Sequence, residues 1–167
     1  MLEAALLIVF PGLMAYAAAS DLLTMTIPNA LSLALLAAFG VFAVAAGLPW
    51  QAVATHVAAG ALLLAVCFTM FAFGWIGGGD AKLATVTAVW LGFDKLTEYL
   101  LVASIAGGLL SVAIILLRTV PLPAFALGWP WLSRLHDQKS GVPYGIALAG
   151  AALLVYPESP IWRAVLS

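Results

Sequence analysis

Apolar residues run along this chain in long blocks, with polar residues as brief interruptions between them. The blocks fall at about 2–20, 30–48, 52–74, 82–93, 98–118 and 142–156. Runs of this kind with few charges suit helices that live in lipid, because a helix satisfies its own backbone where no water is available to do so. The expected fold is all-α: a polytopic membrane protein, one embedded domain over 1–167 built as a bundle of about six transmembrane helices. The interruptions are equally legible. Residues 21–29 read DLLTMTIPN, where Pro28 disfavours helix at Ile27 and Asn29 can cap the helix that follows. Gly47-Leu48-Pro49 makes the second connection, Gly77 to Gly79 the third, Asp94-Lys95 the fourth, and Thr119 to Gly141 a long fifth.

Composition sharpens this picture. The chain is 65% hydrophobic and 8% charged, against roughly 45–50% and 25% in soluble proteins. A formal net charge of -1 provides no basic surface, which argues against a nucleic-acid partner. The single cysteine, Cys67, lies inside an apolar run and reads as packing; it leaves no intrachain disulfide and no Cys-rich zinc site. The first twenty residues carry Glu3 and no Lys or Arg, so they read as the first membrane helix rather than a cleaved signal, with Pro11 and Gly12 placed to kink it.

If six spans alternate across the bilayer, the first, third and fifth loops share one side, with Lys82, Arg118, Arg134 and Lys139, and leave Lys95 and Arg163 opposite. The positive excess makes the shared side cytoplasmic. The fifth loop has three prolines and cannot be one spanning helix; Trp129 and Trp131 suit the headgroup level, as in a shallow amphipathic piece lying on the membrane. The fourth block, AKLATVTAVWLGF, reaches only about 20 Å against a hydrocarbon core of about 30 Å. A start below the surface would set Asp80 at membrane depth, in protein or a wet cavity.

Carboxylates at that depth cost several kcal/mol to ionise and are functional candidates by default. Asp21 closes the first helix and Asp80 opens the fourth, on the same side. Two such groups brought together share one proton, because like charges a few ångströms apart do not both ionise readily. The ionised member can take a proton from a water attacking a peptide carbonyl, while the protonated one hydrogen-bonds the carbonyl oxygen and helps protonate the leaving amine. Metal and cofactor are unnecessary in this scheme. Gly77, Gly78 and Gly79 suit it as substrate-binding backbone, since a segment without Cβ atoms admits an extended chain closely. An aspartate after glycines also caps ordinary helices, so spacing alone leaves both readings open.

The other ionisable residues have plainer readings. His56 has no Cys, His or carboxylate at helical spacing and reads as a packed histidine; His136 and Asp137 beside Lys139 read as a solvated patch. Lys82, two residues beyond Asp80, should point elsewhere on its helix and snorkel. Glu3, Asp94, Glu98 and Glu158 read as solvated charges of the opposite side.

Three segments in order, Asp21-Leu-Leu-Thr-Met-Thr-Ile-Pro-Asn29, Gly77-Gly-Gly-Asp80-Ala-Lys and Val142-Pro-Tyr-Gly-Ile-Ala-Leu-Ala-Gly150, resemble the type IV prepilin peptidases, membrane aspartic proteases with a Gly-x-Gly-Asp motif. The resemblance covers nearly the whole chain. It implies an inner-membrane endopeptidase of bacteria, acting at the cytoplasmic face, that cuts leaders from pilin precursors after a glycine just ahead of the pilin's hydrophobic helix. Asp21 and Asp80 match its two catalytic positions, and Pro143 and Tyr144 open the last helix as candidate substrate contacts. Larger members add a domain with paired Cys-x-x-Cys motifs and N-methylate their product; with one cysteine, this chain resembles the short class serving Flp-type, tight-adherence pili, without methyltransferase activity expected. Leu23 departs from the family pattern, which often has arginine there. The rival reading is a small transporter that binds and releases protons or cations on the same carboxylates.

Overall fold

A computed structural model describes residues 2–123 and 128–166, all helices and connections with no strand among them. The helices are α1 (Leu2–Thr24), α2 (Asn29–Ala45), α3 (Trp50–Ala72), α4 (Gly78–Thr119), α5 (Pro130–His136), α6 (Tyr144–Val155) and α7 (Pro160–Leu166), with a 3-10 turn at Tyr156–Glu158 between the last two. Two of them, α3 and α4, are long and apolar enough to cross a membrane, and Ile8–Thr24 and α2 are shorter apolar helices. Expected and observed helices share their centres and differ at their ends. α1 runs through Pro11 and on to Thr24, so Asp21 lies inside the helix rather than closing it.

The largest difference is the fourth connection. No loop forms at Asp94-Lys95; α4 continues past both, broken only at Gly92, whose φ of 66° and ψ of -177° lie in a region essentially confined to glycine. The break reverses the chain. A straight 42-residue helix would be about 63 Å long and would hold Asp80 and Gly107 about 40 Å apart. Yet the Tyr144 ring packs directly on Gly107, while its neighbour Gly145 bonds Asp21, which lines one cavity with Asp80. The legs 78–91 and 93–119 therefore fold back on one another, and α4 supplies the fourth and fifth apolar stretches as a hairpin. Its first leg, of about 21 Å, is the short one.

Burial follows from this hairpin. α4 packs against α3 on one side and α6 on the other, while α1 lies against α6 and α2. Near the reversal, Trp90 is fully buried, donates from Nε1 to the Leu35 carbonyl at 2.9 Å, and meets the rings of Phe10, Phe39, Phe42 and Tyr156. Each such ring removes a large apolar area from solvent and adds a specific contact geometry. Buried His56 sits at the break itself: its Nδ1 is 2.7 Å from the Val89 carbonyl and, facing an acceptor, donates to it. Buried Cys67 is a free thiol in the apolar core.

The charges sort by end. Lys95 pairs with Glu98 at 2.7 Å and with Glu158, so these are ion-paired rather than merely solvated. The hydrogen bond from Lys95, with its charge, holds the Glu158 carboxyl below the usual carboxylate range. At the other end Arg118 donates to the carbonyls of Leu135, Ser140 and Gly141, pinning the segment that carries α5. Trp129 and Trp131, at the start of that short helix, stack at 6.2 Å, and its Leu135 is buried. The Glu3 side chain and residues 124–127 of the fifth loop lie outside the described residues.

Gly92→Ala is expected to lower stability by about 1–3 kcal/mol, the cost of forcing a side chain into that backbone region, because the new Cβ would also come 3.0 Å from His56 Cε1. Gly108→Ala, with nothing within 4 Å of its Cβ, is the neutral control. Unfolding in detergent micelles by heat or added SDS measures both.

A candidate two-carboxylate active site

The last turn of α1 ends in a knot of hydroxyls. Ser20 Oγ donates to the Thr26 carbonyl at 2.8 Å, and Thr24 Oγ1 donates to the Ser20 carbonyl and lies 2.7 Å from Thr26 Oγ1. Met25 takes a left-handed φ of 55°, unusual without glycine, and its N–H closes on the Asp21 carbonyl at 2.8 Å. The chain thereby stops being helical just beyond Asp21 and swings Thr26 and Ile27 across it. Arg134 of α5 donates to the Leu23 carbonyl at 2.7 Å, capping one of the acceptors a helix leaves open at its C-terminus.

Asp21 is 6% exposed. Its Oδ2 accepts the Gly145 N–H at 2.7 Å, in the first turn of α6, where N–H groups have no partner in their own helix and the dipole favours negative charge. Glycine is required there by space: a Cβ at position 145 would come 2.8 Å from Asp21 Oδ2 and 2.9 Å from Ile27 Cδ1.

Asp80 stands in the first turn of α4 with its carboxylate turned back toward Gly77, which precedes that helix. An acid placed this way has the position of the second half of a capping box. The three glycines fit tightly: a Cβ on Gly77 would come 2.9 Å from Asp80 Oδ2, on Gly78 3.2 Å from the Phe71 ring, and on Gly79 3.3 Å from Ile27 Cβ.

Asp21, Asp80 and Gly77 to Gly79 line one open cavity of about 270 Å³, closed on another side by the Met25–Ile27 turn. Lys82 also lines this cavity, with its ammonium turned to Asn29 rather than to Asp80. Its ammonium donates to Asn29 Oδ1 at 2.7 Å, so Asn29, the first residue of α2, has its side chain on Lys82 and makes no cap bond.

Pro143 and Tyr144 are not brought to this cavity. Pro143 precedes the first turn of α6, and Tyr144 lays its ring on Gly107 with its hydroxyl 3.1 Å from Ser111 Oγ. In the Pro-Tyr-Gly motif it is Gly145 that touches the site. Gly145, Arg134 and Met25 carry no site signature in the sequence beyond the glycine inside the motif, and nothing local to Arg134 points to Leu23.

The family model for the type IV leader peptidases matches residues 8–112, and the chain belongs to that family. The prepilin leader peptidase/N-methyltransferases of Aeromonas hydrophila and of Aeromonas salmonicida are each 30% identical to it over 86 residues, covering 50% of this chain and 24% of theirs. The chain thus aligns with about a quarter of the length of these curated relatives. No solved structure matches it. The family segment contains Asp21, Asp80 and the glycines, and ends before Gly145.

Gly145→Ala is expected to destabilise the protein by about 1–3 kcal/mol, because displacing Asp21 leaves a buried acceptor and a helix N–H unpaired. Gly150→Ala, in the same helix with nothing within 4 Å of its Cβ, should be neutral or slightly stabilising. Paired unfolding curves in one detergent test the contrast.

Proposed function

We propose that this protein is a membrane aspartic endopeptidase that removes the leader from Flp-type pilin precursors at the cytoplasmic face of the bacterial inner membrane. The observation that carries the reading is the convergence of Asp21 and Asp80, from helices far apart in sequence, on one open cavity beside a glycine turn. The family supports the same chemistry. The embedded domain over 1–167 is read as the peptidase unit.

The carboxylates hold one proton between them. The ionised member takes a proton from water as the water oxygen attacks the scissile carbonyl carbon, and the protonated member hydrogen-bonds the carbonyl oxygen. Collapse of the tetrahedral species breaks the C–N bond, and a proton passed back to the nitrogen releases the new amine and the leader carboxylate. The Gly145 N–H holds the Asp21 carboxylate in place, so little reorganisation is needed there when charge develops. The extended substrate lies along Gly77 to Gly79, and the site faces the cytoplasm with the end of the bundle that carries Lys82, Arg118 and Arg134.

Asp21→Asn and Asp80→Asn should each reduce precursor cleavage by at least about 10²–10⁴-fold, the scale of a lost general acid or base, while the protein still inserts. Purified protein, a Flp-type precursor and mass measurement of the new N-terminus make the test. Cleavage at the wild-type rate by either variant would remove the mechanism; proton-coupled flux in proteoliposomes without cleavage would favour a transporter instead.

A further inference from the structure

The second leg of α4 ends on a guanidinium that grips main chain on both sides of a connection. Arg118 Nε donates to the Leu135 carbonyl, and its Nη2 donates to the carbonyls of Ser140 and Gly141, each at 2.9 Å. Leu135 is in the last turn of α5, where carbonyls lack partners in their own helix. Ser140 and Gly141 follow a turn in which the Lys139 N–H meets Asp137 Oδ1 and the Ser140 N–H meets the Asp137 carbonyl. One planar fork thereby fixes the two ends of residues 135–141 relative to each other.

The span so held lies between two polar contacts on the end of α1. Just before it, Arg134 donates to the Leu23 carbonyl; shortly after it, the Gly145 N–H donates to Asp21 Oδ2. The same leg of α4 gives a further hold. Gly107 takes the Tyr144 ring, Ser111 Oγ lies 3.1 Å from the Tyr144 hydroxyl, and Ile114 between them and Arg118 is buried. Residues 107, 111, 114 and 118 recur at three- and four-residue steps, which places them on one helical face. Little slack separates Gly141 from Gly145. The Tyr144 N–H closes on the Val142 carbonyl at 2.8 Å, and Pro143 is buried with its φ set by its ring. A displacement at Gly141 is therefore passed on to Gly145 rather than absorbed.

We infer that Arg118 is a positioning residue for the hydrolysis: it sets where the first turn of α6 presents the Gly145 N–H, and through it where Asp21 stands. Arg118 does not line the carboxylate cavity and acts only through the chain it holds. The inference rests on the peptidase reading and gives the connection after α4 a part in it. Misplacing a reacting group by about 1 Å can cost about a hundredfold in rate, so a residue outside the cavity can govern turnover.

The test uses the full chain in proteoliposomes with a Flp-type pilin precursor. Arg118→Ala should lower kcat about tenfold or more and change KM less than twofold. Arg118→Lys keeps the charge but not the fork, and should shift kcat in the same direction; it replaces the alanine variant if that one does not insert. Arg163→Ala, on α7, should leave both constants unchanged. A cycle with Gly145→Ala separates positioning from general support. If Arg118 works through the Gly145 N–H, the double variant should lose no more than about twofold beyond the worse single one. Deuterium exchange of the Gly145 N–H, read by mass spectrometry of the 141–150 fragment, should speed up about tenfold in the Arg118 variant while α3 is unchanged. An unchanged kcat, losses that multiply in the double variant, or unchanged exchange at Gly145 would each overturn the inference and leave the peptidase standing. A wild-type chain that cuts no precursor would bring down the peptidase reading, and exchange at Gly145 would still decide whether Arg118 holds that N–H in place.

Discussion

A carboxylate inside an apolar bundle has to find a donor, and Asp21 finds the N–H of Gly145, 124 residues away in sequence and 2.7 Å away in space. That bond ties the end of α1 to the start of α6. It stabilises the acid with a helix terminus that itself lacks partners, and it allows no side chain at position 145. Each element at this end of the molecule is arranged around that contact: the hydroxyl knot that stops α1, the left-handed Met25, and the Ile27 side chain wedged between Gly145 and Gly79. Ile27 fills the space that two glycines leave, and thereby packs the α1 turn against both α4 and α6.

Bringing Asp80 to the same place depends on the opposite end of the bundle. Because α4 reverses at Gly92, the start of its first leg and the far part of its second leg lie at the same end of the bundle, beside α6. The reversal leaves buried backbone polar groups to be satisfied. His56 takes the Val89 carbonyl, and the aromatic cluster about Trp90 fills the volume around it. The outer ion pairs of Lys95 with Glu98 and Glu158 fasten the second leg to the 3-10 turn after α6. A glycine and a histidine near one end thus shape the hairpin whose other end carries Asp80.

The relation to the leader peptidases is clearest where geometry and family coincide. The matched segment holds both aspartates and the glycine turn, while the donor to Asp21 comes from beyond it. A guanidinium also reaches the end of α1 from beyond that segment: Arg134 of α5 donates to the Leu23 carbonyl. The cation comes from a helix folded over the end of α1 rather than from α1 itself, so the fifth loop takes part in shaping the site region.

The amino-acid sequence by itself determined that the chain is helical and suited to lipid, where its apolar blocks lie, and that Asp21, Asp80 and the three glycines are the residues to watch. Those properties are local: block length, a proline, a glycine run and a charge in an apolar setting can each be read without knowing what lies opposite. The break at Gly92 instead of a loop at Asp94-Lys95, the Gly145 N–H on Asp21, Lys82 on Asn29, and Arg134 on Leu23 were decided only in three dimensions. Each depends on a partner many residues away, and neither periodicity nor spacing specifies which donor will meet which acceptor once helices pack. Local chemistry sets what a segment must satisfy; the tertiary fold chooses what satisfies it.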